Sequence, residues 1–281
     1  MSLIAVTVNL GCASPSAVLS QRRAAAATWA ERARRQEQPN LVFAQEVPDT
    51  AWLEAWELAG WSVSVVEGPQ YRVRSALLWR GGGVEDLGAL DLPTAAYHGS
   101  YVAGRLLAIP GLEREVAVLS VHASPSPVSD DDMTTWTSVS GPGALPVPRD
   151  AQPGTDRGTL WDSDMVVATC RRLTETCEVL AVGDLNECLA WDDTHSGEWG
   201  ARFHERVTAG GALELPFQRI WGGERRTYFA RGRAPYQLDH ALATPAVARL
   251  VRSAVVDDSW TEAAVERGDL SDHAPIRFSL A

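Results

Sequence analysis

Val179-Leu180-Ala181-Val182-Gly183-Asp184-Leu185-Asn186-Glu187 decides how the rest of the chain is read. The apolar run Val179–Val182, closed by Gly-Asp, describes a buried strand that ends on a carboxylate. The loop ends of such strands are where sites are built. Side chains alternate along extended backbone, so Asp184 and Asn186 are expected on one side, where a carboxylate and a carboxamide together can hold a water. Gly183 is expected where the backbone runs too close to a ligand for a Cβ. The bland alternative for these residues is an Asx-type turn after a strand.

Working outward, other strand ends carry polar residues of the same kinds. Asn9 closes the N-terminal apolar run, and Gln45-Glu46 closes Leu41–Ala44. His122 closes Val116–Val121, with Pro125 and Pro127 stopping the strand just beyond. Later come Asp239-His240, inside the run Tyr236–Ala243, and Ser271-Asp272-His273, opening the run to Ile276. His240 follows Asp239 and so faces the other way, as a hydrogen-bonded interior histidine. Further strand-like runs span Trp61–Val66, Ser75–Trp79 and Val102–Ile109. Helices are expected from about Ser16 to Gln38, from Trp52 to Gly60, from Trp161 to Thr176 and near Phe203–Ala209.

The stretch 124–159 is rich in Pro, Gly, Ser, Thr and Asp, and a loop that long reads as a lid or a disordered insert, the most mobile part without substrate. The order of strands and helices runs twice, giving one domain over 1–281 with two like halves, about 1–125 and 155–281. Packed sheet against sheet, such halves would bring the marked strand ends to one edge.

Composition limits the partners. A net charge of −11 and a pI near 5.0 argue against sequence-independent gripping of duplex nucleic acid, and leave a phosphate substrate open. All 25 basic residues are Arg, which genome base composition explains as well as phosphate binding does. No basic leader is visible, and no apolar stretch approaches the roughly 20 residues needed to cross a bilayer. The expectation is a cytoplasmic protein with no membrane insertion and no obligatory protein partner. Cys12, Cys170, Cys177 and Cys188 lack zinc-site spacing and are expected as reduced thiols. Cys12 and Cys188 are expected nearer to each other than to Cys170 and Cys177, which share a helix. Of the 11 Trp, Trp52, Trp56 and Trp79 lie on patterned elements and are expected in the core; Trp136, Trp161, Trp191, Trp199 and Trp221 lie in or beside loops.

Taken in order, Asn9, Gln45-Glu46, His122, Gly183-Asp184-Leu185-Asn186, Leu238-Asp239-His240 and Ser271-Asp272-His273 resemble the endonuclease/exonuclease/phosphatase superfamily, the deoxyribonuclease-I-like fold. The resemblance covers Val6 to Phe278. It implies an α/β four-layer αββα sandwich, two packed mixed β-sheets flanked by helices, with a divalent metal at one end. It implies Glu46 as the principal Mg²⁺ ligand, with Asn9 and Asp272 beside it and Mn²⁺ as a substitute. Asp184 would orient or deprotonate the attacking water, and Asn186 would hold it. His273, held by Asp239, would meet the scissile phosphate. His122 would be a second phosphate-facing group or leaving-group acid. In deoxyribonuclease-like members that His leans on a Glu, and Gln70, Tyr71 and Arg72 stand in that neighbourhood here. Arg72, Arg74, Arg225, Arg226, Arg231 and Arg233 are candidate phosphate clamps, of which Arg72, Arg225 and Arg226 are taken as substrate-binding. The function implied is an Mg²⁺-dependent phosphodiesterase, foremost a nuclease. The alternatives are a phosphatase acting on an inositol phosphate or phospholipid head group, and a binding protein without turnover.

Overall fold

Alternation along the first strand sorts the molecule into layers. In β1 (Leu3–Asn9), Leu3 and Ala5 pack one way and Val6 and Val8 the other. In β2 (Leu41–Val47), Leu41 and Phe43 join the first set, Val42 and Ala44 the second. Burial on both faces is what a strand shows when it is covered on both sides. The computed structural model describes residues 2–12, 19–67, 74–90, 92, 101–125, 127–134, 160–194, 197–230 and 232–281.

Two mixed sheets face each other. The first runs β10-β11-β1-β2-β4-β3, with β3 at Ser62–Glu67, β4 at Arg74–Trp79, β10 at Val251–Val256 and β11 at Ile276–Leu280. The second runs β5-β6-β7-β8-β9, with β5 at Glu85–Ala89, β6 at Tyr101–Ala108, β7 at Val116–His122, β8 at Glu178–Asp184 and β9 at Asp239–Ala243. Leu3, Phe43 and Phe278 of the first sheet meet Val116, Leu180 and Ala241 of the second in one core. Helices α1 (Leu19–Arg32) and α2 (Thr50–Glu57) cover the outer face of the first sheet, with Trp29, Trp52 and Trp56 over Val6, Val8 and Ala44. Helices α3 (Asp162–Leu173) and α5 (Trp199–Thr208), with the short α4 (Ala190–Thr194) between them in sequence, lie on the other side of the molecule. There Val166 and Phe203 pack on Leu119 and Ala181. The expected four-layer sandwich is therefore present.

The two sheets do not correspond to the two expected halves. The first sheet closes with β10 and β11 from the far end of the chain, and β5–β7 join the second. Most of 124–159 lies outside the described residues. Its described ends are tied together, Val128 N donating to Leu160 O at 2.8 Å and Ser124 N to Asp162 Oδ2 at 3.1 Å. All four cysteines are free and buried. Cys177 lies beyond the end of α3, not on the helix with Cys170, and its thiol meets Leu173 O at 3.3 Å. Cys12 and Cys188 belong to separate core clusters. Trp52, Trp56 and Trp79 are buried, as expected.

Candidate active site

Topology alone brings the marked residues to one end. β1 and β2 are parallel, with Asn9 beside Gln45, and β7 and β8 are parallel, with His122 beside Asp184. β9 runs against β8 and places Asp239 opposite Asp184. β11 runs against β1, so the chain enters it from the same end, just after His273. Asn9, His122, Asp184 and Asp239 all fall on the alternate positions that carry Ala5, Val118, Val182 and Ala241 into the core between the sheets.

Glu46 breaks that alternation. Its position continues Val42 and Ala44, which face the helices. A register irregularity between Ala44 and Val47 and a left-handed backbone, φ 50° at Glu46, turn the side chain back toward the other sheet. A bulky residue in that region is strained, and such strain concentrates where a side chain must be aimed. Asn186 is the other non-glycine at φ 50° in the site. The strand stops at Asp184, so Asn186 does not share its face by alternation. Instead Asn186 N donates to Asp184 Oδ1 at 2.9 Å, an Asx-type turn, and Asn186 Nδ2 donates to Ala123 O at 2.8 Å. The reason for Gly183 also differs from expectation. At φ 147°, a Cβ there would lie 2.1 Å from Val121 O and 2.7 Å from Gln45 Nε2, so it is the neighbouring strand that excludes a side chain.

The side chains converge on one oxygen. Asp184 Oδ2 accepts from Asn9 Nδ2 at 3.0 Å, with His273 Nε2 at 3.6 Å and His122 Nε2 at 3.8 Å. Asn9 Nδ2 also reaches Glu46 Oε1 at 3.3 Å, and His122 Nε2 lies 3.6 Å from the same atom. His273 Nδ1 is 2.9 Å from Asp239 Oδ2. Burial pushes Asp184 up to about 6, against the pull of His273 and His122. Burial alone would lower His273, but the carboxylates of Asp239 and Asp184 outweigh it and hold the ring up at about 10. For Asp239, burial is likewise overcome by the His273 charge and hydrogen bond, and its carboxyl sits below the usual range. At neutral pH the cluster therefore holds an Asp184 carboxylate beside a His273 imidazolium.

The other described candidates are engaged by other partners. Asp272 Oδ2 pairs with Arg22 at 3.5 Å, and Arg22 also donates to Gly11 O at 2.9 Å. Arg225 lies over the Trp221 ring at 5.8 Å. Arg226 pairs with Glu262 at 2.5 Å, donates to Tyr228 O at 2.9 Å and covers the Phe229 ring. Arg72 lies outside the described residues. His240 is an interior histidine: Nε2 donates to Glu187 O at 2.7 Å, Nδ1 accepts from Gln218 at 2.6 Å, and burial lowers its pKa. Two neighbours of the site escaped the sequence reading. Tyr228 stacks edge-on to His273 with ring centres 5.1 Å apart, and Arg22 holds Asp272. The aromatic-rich Tyr228-Phe229 pair ahead of Asp239 was a signal for the first; Arg22 on an Ala- and Arg-rich helix gave none.

Among the described residues, no group of three or more His, Cys, Asp or Glu is arranged as a ready metal cage. The donors at the rim still fit a hard divalent ion. Glu46 is a partly accessible carboxylate aimed into the site at a cost in backbone strain, and Mg²⁺ needs only one or two carboxylates because it keeps several waters.

No family model matches the chain, and no curated protein does. Solved structures do match over the whole length. An endonuclease/exonuclease/phosphatase family protein from Bacteroides thetaiotaomicron matches at 12% identity and a TM-score of 0.63, over 100% of this chain and 95% of the other. A mannosyl-6-phosphatase from the same species matches at 12% identity and 0.62, over 99% of both chains. A 3′ phosphatase from Neisseria, solved bound to a product DNA hairpin, matches at 16% identity and 0.59, again over 99% of both. The chain has the fold of the endonuclease/exonuclease/phosphatase proteins, the deoxyribonuclease-I-like sandwich.

Proposed function

We propose that this protein is a divalent-metal-dependent phosphoesterase that hydrolyses a phosphodiester, in the first instance in nucleic acid. The observation that carries the reading is the sharing of Asp184 Oδ2 by Asn9, His122 and His273, with Glu46 at the rim beside them. Asp184, ionised at neutral pH with a pKa near 6, accepts a proton from the attacking water. Asn186 has its amide hydrogens turned to Ala123 O, which leaves its carbonyl oxygen to orient that water. His273 presents a fixed positive N–H to the phosphoryl oxygens, and Asp239 keeps it charged and oriented. His122, with Nε2 3.8 Å from Asp184 Oδ2 and 3.6 Å from Glu46 Oε1, would be a second phosphate-facing group or the leaving-group acid. Glu46 would hold the metal with Asn9 and Asp272 alongside; when bound, the ion supplies Lewis-acid stabilisation of phosphoryl charge. Arg72, Arg225 and Arg226 remain the proposed substrate contacts, though Arg226 would have to leave Glu262.

A second reading, a phosphatase of a small phosphate ester, is favoured by one observation: a net charge of −11 opposes a long polyanion more than a small one. Cytoplasmic action belongs to the proposal; four free thiols support it, and among the described residues no helix is long and apolar enough to cross a membrane. The test is turnover of bis-p-nitrophenyl phosphate with and without Mg²⁺ or Mn²⁺, followed by a panel of single-stranded DNA, duplex DNA, RNA and inositol phosphates. Glu46→Gln should abolish metal-dependent turnover while circular dichroism stays unchanged. Full activity of that variant at saturating Mg²⁺ would remove Glu46 as a ligand.

A further inference from the structure

One peptide unit stands between α3 and Asn186 of the candidate active site. Its carbonyl, Ala123 O, accepts from Asn186 Nδ2 at 2.8 Å, and its N–H, at Ser124, donates to Asp162 Oδ2 at 3.1 Å. The two groups point opposite ways across a planar trans peptide, so gripping both ends fixes how the plane is turned. Ala123 N donates in turn to Asp184 O at 2.8 Å, which ties the same stretch to the end of β8. Asp162 is the first residue of α3 and is 2% exposed.

The next residue of α3 takes hold from the other side. Ser163 Oγ donates to Glu187 Oε1 at 2.6 Å, and both residues are buried. Asn186 therefore has its own amide tied, through one peptide, to Asp162, and the residue after it tied to Ser163. That restraint has something to hold. Asn186 sits at φ 50°, outside the backbone region most side chains adopt, and such a conformation persists where its surroundings fix it.

The helix does not need Asp162 for itself. Trp161 N, at the start of the helix, donates to Asp164 Oδ2 at 2.9 Å, so capping falls to Asp164. Burial, with the charge of Asp132 adding to it, pushes the Asp162 carboxyl up to about 8. At neutral pH it is therefore largely a neutral acid whose carbonyl oxygen meets Ser124 N, a shape and charge that asparagine copies.

The geometry points to the first turn of α3, through Asp162 and Ser163, as the positioning element for Asn186: from behind Ala123–Ser124 and Glu187 it aims the Asn186 carbonyl oxygen at the attacking water. This rests on the phosphoesterase reading and adds to it two residues that act only through another.

Steady-state kinetics on bis-p-nitrophenyl phosphate with Mg²⁺ separates this from a merely structural role. Asp162→Ala should lower kcat about tenfold with KM within about twofold, since substrate still binds and the water is misaimed. Asp162→Asn should stay within about threefold of the wild type, and Ser163→Ala should lower kcat by roughly threefold. In an Asn186→Ala background, where no amide is left to aim, Asp162→Ala should cost no more than about twofold. Wild-type kcat in Asp162→Ala, or a loss undiminished in the Asn186→Ala background, overturns the inference. If Asp162→Ala does not fold, an unchanged kcat in Ser163→Ala overturns it. The side-chain amide signals of Asn186 in a proton–nitrogen correlation spectrum read the positioning without turnover. They should move in Asp162→Ala and return in Asp162→Asn. Wild-type turnover with signals that Asp162→Ala leaves in place would keep the phosphoesterase reading and refute the positioning. No wild-type turnover, with signals that move and return, would do the reverse.

Discussion

Asp239 sets what His273 can do. With the carboxylate 2.9 Å from Nδ1, the ring is fixed in orientation and charged. Asp239→Asn should cost roughly two to four decades in turnover, by analogy with other carboxylate–histidine pairs. The double variant with His273→Ala should be no worse than the worse single change, because the two act as a unit; additive losses in kcat would show that they do not. Gly183 is a second sensitive position. A Cβ there would stand 2.1 Å from Val121 O, so Gly183→Ala should lower stability by about 2 kcal/mol or more, read from urea unfolding. A neutral substitution would mean that the two strands can part without cost. Asn9, Glu46, His122, Asp184 and His273 were legible as candidates because each closes or opens an apolar run, and strand ends need no knowledge of partners; Asp239 stood inside its run and was legible only through the family resemblance. The aim of Glu46, the true reason for Gly183 and the role of Arg22 were not legible. Each depends on a residue far away in sequence, His122, Val121 and Asp272 respectively, that only the tertiary fold brings near.

At the scale of elements, α3 carries a pH dependence. Asp162 opens the helix fully buried, accepting Ser124 N at 3.1 Å, with Asp132 the other charge near it. Burial first, and Asp132 second, push its carboxyl up to about 8. Between the ordinary carboxyl value and that one, the folded chain holds a proton that the unfolded chain has lost. Its contribution to stability is therefore complete in acid and falls as pH rises from about 4 to about 8, by at most about 1.4 kcal/mol per pH unit. Asp162→Asn keeps an acceptor for Ser124 and does not titrate. Urea unfolding at pH 5 and pH 8 should show the wild type losing more stability than the variant; parallel behaviour would contradict the assignment. Legibility at this scale followed burial. β7 was read residue for residue because only Ser120 interrupts its apolar run, whereas β5 was missed, since Glu85–Ala89 is an exposed edge strand with no alternating pattern. The run at Ser271–Pro275 was read as strand, but extended pairing begins only at Ile276; a lone bridge from Tyr228 to His273 takes its place.

The molecule as a whole holds its sheets together with more than apolar contact. Gln45 Nε2 of β2 donates to Ser120 Oγ of β7 at 3.0 Å, Ser120 Oγ donates to Ala44 O at 3.2 Å, and Thr7 Oγ1 of β1 reaches Gln45 Oε1 at 3.4 Å. All three side chains are buried. Ser120→Ala would orphan two buried groups and should cost about 1–3 kcal/mol, measured by urea unfolding; a loss below about 0.5 kcal/mol would mean that the tie is idle. The sandwich was legible as a whole because the ordered strand ends demanded it. Which strands pair was not, because hydrophobic patterning says which face is buried and not which neighbour lies beside it. That pairing governs how the protein comes into being. Leu3 lies against Leu280 and Thr7 against Ile276, so β1 must wait, one edge bare, until β11 has been made. Until β11 arrives, Asn9 and Glu46 have no His273 beside them. Assembly of the centre is coupled to the arrival of β11, and closing so distant a pair makes that step slow.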